Sequence, residues 1–103
     1  MIEDHIRGLA AERAVRLTLH AQQEMIEDDV AVSEILSCLK ECTVLENYPD
    51  HKRGACCLVG GRTIKERFLY VVCTTTGPDL IIITVYEPKP PKWKTPFERG
   101  PGS

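Results

Sequence analysis

The stretch D-L-I-I-I-T-V-Y-E-P-K-P-P-K-W, residues 79–93, decides how this chain folds. From Leu80 to Tyr86, seven consecutive residues are β-branched, aromatic or leucine, which suits a strand buried on both faces. Glu87, Pro88 and a Lys/Pro run follow, and proline lacks the N–H that a sheet ladder needs. The strand therefore ends at the rim of a sheet and delivers Tyr86 and Glu87 there. Residues before it must cover it, and residues after it read as a tail.

Working back from that strand, three more are expected. Arg67–Thr75 alternates Phe68, Tyr70 and Val72 on one face with Leu69, Val71 and Cys73 on the other. Ala55–Val59 precedes it and is read as ending at Gly60-Gly61, a hairpin signal. Thr43–Tyr48 comes first and is closed by Pro49-Asp50. The connections are short, which favours an antiparallel meander, because a parallel crossover needs a dozen or more residues.

The N-terminal part has helical spacing. Residues 2–12 place Ile2, Ile6, Leu9 and Ala10 near one face, with Gly8 as the weak point. Arg13–Leu17 reads as a short connector, with an extended backbone as the alternative. Thr18 has the character of an N-cap for a helix over 19–28, with Leu17, Ala21 and Met25 facing the core. A third helix over Val32–Glu41 carries Val32, Ile35, Leu36 and Leu39 as its apolar stripe, capped by Asp29 or Ser33. The expected architecture is α+β, with two to three N-terminal helices packed on a four-stranded antiparallel sheet. One domain over residues 1–97 and a flexible tail over 98–103 are expected, with Trp93 docking back on the core.

Composition bounds the function. The chain has 103 residues, 43% hydrophobic and 27% charged, which excludes global disorder and allows a single core. No apolar run reaches the roughly 20 residues of a membrane helix. The acidic start, M-I-E-D-H-I-R, is unlike a secretory signal, so a cytoplasmic location is expected. Five cysteines, two of them adjacent at Cys56-Cys57, fit neither a disulfide framework nor a zinc spacing, so neither metal nor cofactor is expected. Residues 1–41 carry nine Asp/Glu against four Lys/Arg, and residues 42–103 carry nine Lys/Arg against six Asp/Glu. A basic β half permits nucleic-acid binding on the sheet, although charged runs commonly serve only solubility.

Phosphate-loop, dinucleotide, metalloprotease and hydrolase-elbow motifs are missing, and Gly60-Gly61-Arg62-Thr63 lacks the Lys-Ser/Thr of a Walker loop. The candidates for chemistry are single side chains. His20 lies on the side of its helix away from Leu17, Ala21 and Met25, where an imidazole can move protons or simply be solvated. His5 and His51 have weaker claims. Arg67, Tyr70 and Tyr86 sit on expected strands, with Arg62 and Lys65 in the preceding hairpin. Metal-free RNA cleavage needs a base for the 2′-OH, a cation for the phosphate and an acid for the leaving group. The plainer reading of the same residues is a basic hairpin that keeps a sheet edge soluble.

Three motifs, T-L-H-A-Q-Q-E-M at 18–25, R-F-L-Y-V-V at 67–72 and I-T-V-Y-E-P-K-P-P-K-W at 83–93, carry a resemblance that spans roughly residues 2–97. The chain resembles a bacterial domain-of-unknown-function family, number four-two-five-eight in its series. That family is in turn similar to the RelE, BrnT and MqsR type of toxin ribonucleases. The resemblance implies a RelE-like architecture, metal-independent mRNA cleavage and an antitoxin protein as partner beside RNA. His20, Arg67, Tyr70 and Tyr86 fall at the positions of interest. Glu24 stands where the family pattern has arginine, and Tyr70 where it has histidine, which implies weakened or lost cleavage. The alternative expectation is a non-catalytic protein- or RNA-binding module.

Overall fold

The computed structural model describes the chain except Met1, His51, Arg53 and residues 89–92, 96–97 and 100–103. Three helices, α1 (Ile2–Ala11), α2 (Leu19–Glu27) and α3 (Val32–Lys40), alternate with and precede the strands. The strands are β1 (Val15–Leu17), β2 (Thr43–Tyr48), β3 (Cys56–Arg62), β4 (Phe68–Thr74) and β5 (Leu80–Tyr86). Two short strands, β6 (Trp93–Thr95) and β7 (Glu98–Arg99), pair with each other. The Trp93 side chain and most of the expected tail lie outside the described residues.

The sheet has five strands in the order β1-β5-β4-β3-β2. The expected antiparallel meander from β2 to β5 is present, but the sheet is mixed, because β1 joins it in parallel to β5. Within the expected connector Arg13–Leu17, the extended alternative holds for Val15–Leu17, which supplies that fifth strand. Its backbone is committed to β5, since Leu80 donates to the Ala14 carbonyl and Thr18 donates to the Ile82 carbonyl. Three residues are too few to show a strand period, so only the adjacent β5 edge reveals them. The parallel pair needs no local crossover, because the rest of the domain separates its strands.

A second correction concerns Gly60-Gly61. The hairpin does not turn there; β3 runs through both glycines to Arg62, and the turn comes later, where Thr63 donates to the Arg67 carbonyl and Glu66 adopts φ 63°. The glycines answer a packing constraint instead. A Cβ on Gly61 would come within 2.7 Å of the Cys38 carbonyl oxygen on α3, and one on Gly60 within 2.7 Å of the Phe68 ring. Missing side chains let α3 lie close on one face of β3 and Phe68 close on the other.

The helices cover one face of the sheet. Ile6, Ala10, Ala21, Ile35 and Leu39 pack there against Cys57, Val59, Leu69, Val71, Ile82 and Val85. The opposite face carries Leu58 and Tyr70, flanked by Leu45, Tyr48, Phe68, Val72 and Tyr86. The alternation expected along β4 is therefore correct. β5 departs from it, because the register with β4 shifts between Val72↔Thr84 and Cys73↔Ile82. The extra residue puts Ile82 and Val85 both toward the helices, as a bulge does. Ile81, Ile83, Thr84 and Tyr86 are only partly buried, so the strand is not sealed on both faces.

The helix starts show local chemistry at work. The Thr18 hydroxyl accepts from the Ala21 N–H, so the N-cap is as expected. α3 differs: neither Asp29 nor Ser33 caps it, and the Glu34 carboxylate accepts from the Ala31 N–H instead. α3 is also rotated from the expected stripe, exposing Val32 and burying Glu34 and Cys38 beside Ile35 and Leu39.

Two glycine substitutions separate packing from propensity. Gly61→Ala forces a Cβ against α3 and is expected to lower stability by about 1–3 kcal/mol, as overpacking does. Gly8→Ala meets no atom within 4 Å and should raise stability by up to about 1 kcal/mol. Urea denaturation of the two variants beside wild type checks both signs.

Candidate functional site

The edge of β5 is where the helical layer meets exposed chemistry. β1 ends at Leu17 and pairs with β5 only as far as Ile82, so among the described residues no strand pairs with the following residues of β5 on that side. The start of α2 fills the gap. The Thr18 hydroxyl lies 2.9 Å from the Ile82 carbonyl oxygen and 3.2 Å from that of Ile83. Two turns on, Glu24 Oε1 accepts from the Val85 N–H at 3.0 Å and from the Thr84 hydroxyl. A backbone donor that a further strand would have bonded is thus satisfied by a carboxylate.

His20 stands one turn before Glu24 on the same helix face. Its Nε2 is 3.3 Å from Glu24 Oε1, while 65% of the imidazole side chain is exposed and only 21% of Glu24. The i, i+4 spacing puts the two side chains together. Glu24 is therefore the carboxylate against which His20 rests.

Arg67 is engaged elsewhere. Glu34 is completely buried, and its Oε1 accepts from the Thr63 hydroxyl at 3.1 Å and lies 3.2 Å from Arg67 Nε. Its other oxygen accepts from the Ala31 N–H. Arg67 Nη2 donates to the carbonyls of Asp28 and Asp29 at 2.9 and 3.1 Å. One ion pair thereby joins α3, the β3–β4 hairpin and the turn after α2. Such a carboxylate is tolerated in the interior only because a cation and several donors surround it.

Tyr70 and Tyr86 are register partners on the sheet face away from the helices, with rings edge to face at 5.5 Å. Phe68 meets Tyr70 on its other side at 5.6 Å in the same geometry. Tyr70 is fully buried, and Tyr86 is half-buried at the strand end. The four sequence candidates therefore fall into three places: His20 on the β5 edge, Tyr70 with Tyr86 on the outer face, and Arg67 in the buried ion pair. Arg67 meets the C-terminal end of α2, eight residues beyond His20 at Asp28, which is about 12 Å along a helix axis. Glu24, Thr84, Glu34 and Thr63 were missed as participants. The spacing of His20 and Glu24, and glutamate at the third position of α3, were the signals that pointed to two of them.

His5 is exposed on α1, and His51 lies outside the described residues. The five cysteines are free and buried. Burial pushes the Cys38 thiol up to about 12. Burial likewise raises Cys42 to about 11, with the nearby Arg7 charge opposing part of the rise. Cys57 and Cys73 face each other across β3 and β4. Their mutual hydrogen bond lowers Cys57 and holds the proton on Cys73. Among the described residues, no three His, Cys, Asp or Glu side chains are grouped to hold a metal ion. An open groove of about 510 Å³ flanks the other side of α2, lined by Leu17, Met25, Ile26 and Val30 among others, and contains none of the four candidates. Among the described residues no helix is long and apolar enough to cross a membrane.

Residues 17–87 match the model of the family described as Domain of unknown function (DUF4258). Comparison with curated proteins and with solved structures returns no match.

The ion pair and the thiols each give an expectation. Arg67→Ala leaves the Glu34 carboxylate buried without its cation and should cost about 3–5 kcal/mol. The double variant Arg67→Ala, Glu34→Gln should recover part of that loss in the same denaturation assay. The raised Cys38 and Cys42 thiols stay neutral in the fold, whereas in the unfolded chain they ionise from about pH 9. Proton loss by the unfolded state then favours unfolding, so stability should fall as pH rises from about 9 through 11 to 12. Cys38→Ala should flatten that fall in thermal melts across the same pH range.

Proposed function

We propose that this chain, which belongs to the DUF4258 family, is a toxin-like domain that cleaves RNA by proton transfer from the β5 edge, with His20 as the base. The observation that carries this reading is the exposed His20 imidazole, seated against an anchored carboxylate at the rim where β5 delivers Tyr86. In this reading His20 takes the proton of a ribose 2′-OH, and the 2′ oxygen attacks the adjacent phosphorus. The bond to the 5′ oxygen breaks, Tyr86 protonates that oxygen, and a 2′,3′-cyclic phosphate remains. Positioned general bases contribute about 10²–10⁴-fold to such steps. An antitoxin protein that covers this edge is the partner that the toxin-like reading entails.

Arg67 contributes less than a free cation would. Its charge is neutralised by Glu34 and its Nη2 is held by two carbonyls, so it adds little field at the phosphate. Tyr70, fully buried, supports Tyr86 rather than meeting a nucleotide. Slow cleavage follows from this, since a missing stabiliser of transition-state charge costs about 10²–10³-fold.

The neutralised Arg67 also favours a second reading, an RNA-binding module without turnover. Incubating the purified chain with single-stranded RNA in EDTA separates the two. Cleavage that persists in EDTA, yields cyclic phosphate ends and falls about 100-fold in His20→Ala supports the first reading. RNA that is retained but uncut, with no effect of His20→Ala, supports the second.

A further inference from the structure

Two hydrogen bonds and one histidine nitrogen converge on a single oxygen at the β5 edge. Glu24 Oε1 accepts from the Thr84 hydroxyl and the Val85 N–H, and the same oxygen lies 3.3 Å from His20 Nε2. The first two contacts come from a strand in the sheet, so they fix the carboxylate independently of the histidine. From this convergence we infer that Glu24 is the positioning residue of the site, holding His20 with Nε2 toward the carboxylate and Nδ1 free as the basic nitrogen. The inference rests on the reading of His20 as a proton-transfer base.

The chemistry follows from the geometry. A lone pair on Nε2 would face the negative oxygen and be repelled, so the neutral imidazole keeps its proton there. Nδ1 then carries the lone pair on the side of the ring turned away from Glu24. His20 is 65% exposed, so without Glu24 its ring would rotate among solvent-facing rotamers. Glu24 is only 21% exposed and is bonded to β5, so the ring rests on a fixed point of the sheet. Thr84 is the next link, because its hydroxyl and the Val85 N–H together hold Oε1 in place. An arginine at position 24 could accept neither the Thr84 nor the Val85 hydrogen bond.

The test has two arms on the full chain. In the absence of RNA, side-chain NMR couplings and relaxation report the order of the His20 ring. Wild type and Glu24→Gln, which keeps an acceptor at the same place, should show one dominant rotamer. Glu24→Ala should show averaging, and Thr84→Val an intermediate degree of it. Equal disorder of His20 in wild type and Glu24→Ala overturns the inference. In the second arm, Glu24→Ala should lower kcat about 10-fold with KM unchanged, and should have no further effect when His20 is already alanine. An equal loss from Glu24→Ala in both backgrounds would mark a purely structural role and also overturn it. Should wild type cut no RNA, the functional reading fails, while the NMR arm still decides whether Glu24 orders His20.

Discussion

A carboxylate with no exposure to water needs a cation and donors arranged around it before the chain can bury it, and Glu34 meets that condition through contacts distant in sequence. Arg67 immediately precedes β4, Thr63 lies in the same hairpin turn, and the Ala31 N–H belongs to the N-cap of α3. Arg67 at the same time binds the carbonyls of Asp28 and Asp29, so the turn between α2 and α3 is locked to the sheet. With that lock in place, α3 lies on β3 close enough to require Gly61. The orientation of α2, and hence the location of His20, depends on the same fixed turn.

β5 receives the other end of α2. The short β1 bonds β5 only up to Ile82, and Thr18 and Glu24 take over from there. A longer β1 would have continued the ladder and displaced Glu24 from Val85. The incomplete edge is thus what allows an acidic side chain to bond the strand and an exposed imidazole to sit beside it. The bulge near Ile83 keeps Ile82 and Val85 both in the core while Thr84 reaches Glu24. Core packing and the placement of the candidate base are therefore consequences of one local irregularity.

Much of this architecture was legible beforehand. Runs of β-branched residues located β2, β4 and β5 within a residue or so, and the Phe68/Leu69 alternation assigned the two faces of β4. Thr18 was legible as a cap because its bond to Ala21 is local. Gly60-Gly61 misled, since a pair of glycines signals either a turn or a close approach, and only the neighbouring helix distinguishes them. Of the site, His20 could be placed on an exposed helix face from periodicity. Glu24 read only as a departure from the resembled pattern, because its bonds run to residues on a strand far along the chain.

By itself the sequence determined the kinds and order of the main elements, the alternation of faces and the family, all of which rest on short-range spacing and residue type. Tertiary structure alone decided that β1 joins β5 in parallel, that β3 passes through two glycines, that Arg67 belongs to Glu34, and that Glu24 faces His20 from an anchored position. The physical reason is the same in each case. A hydrogen-bond donor or a charge takes the nearest suitable partner in space, and that proximity is set by how the layers pack rather than by any period along the chain.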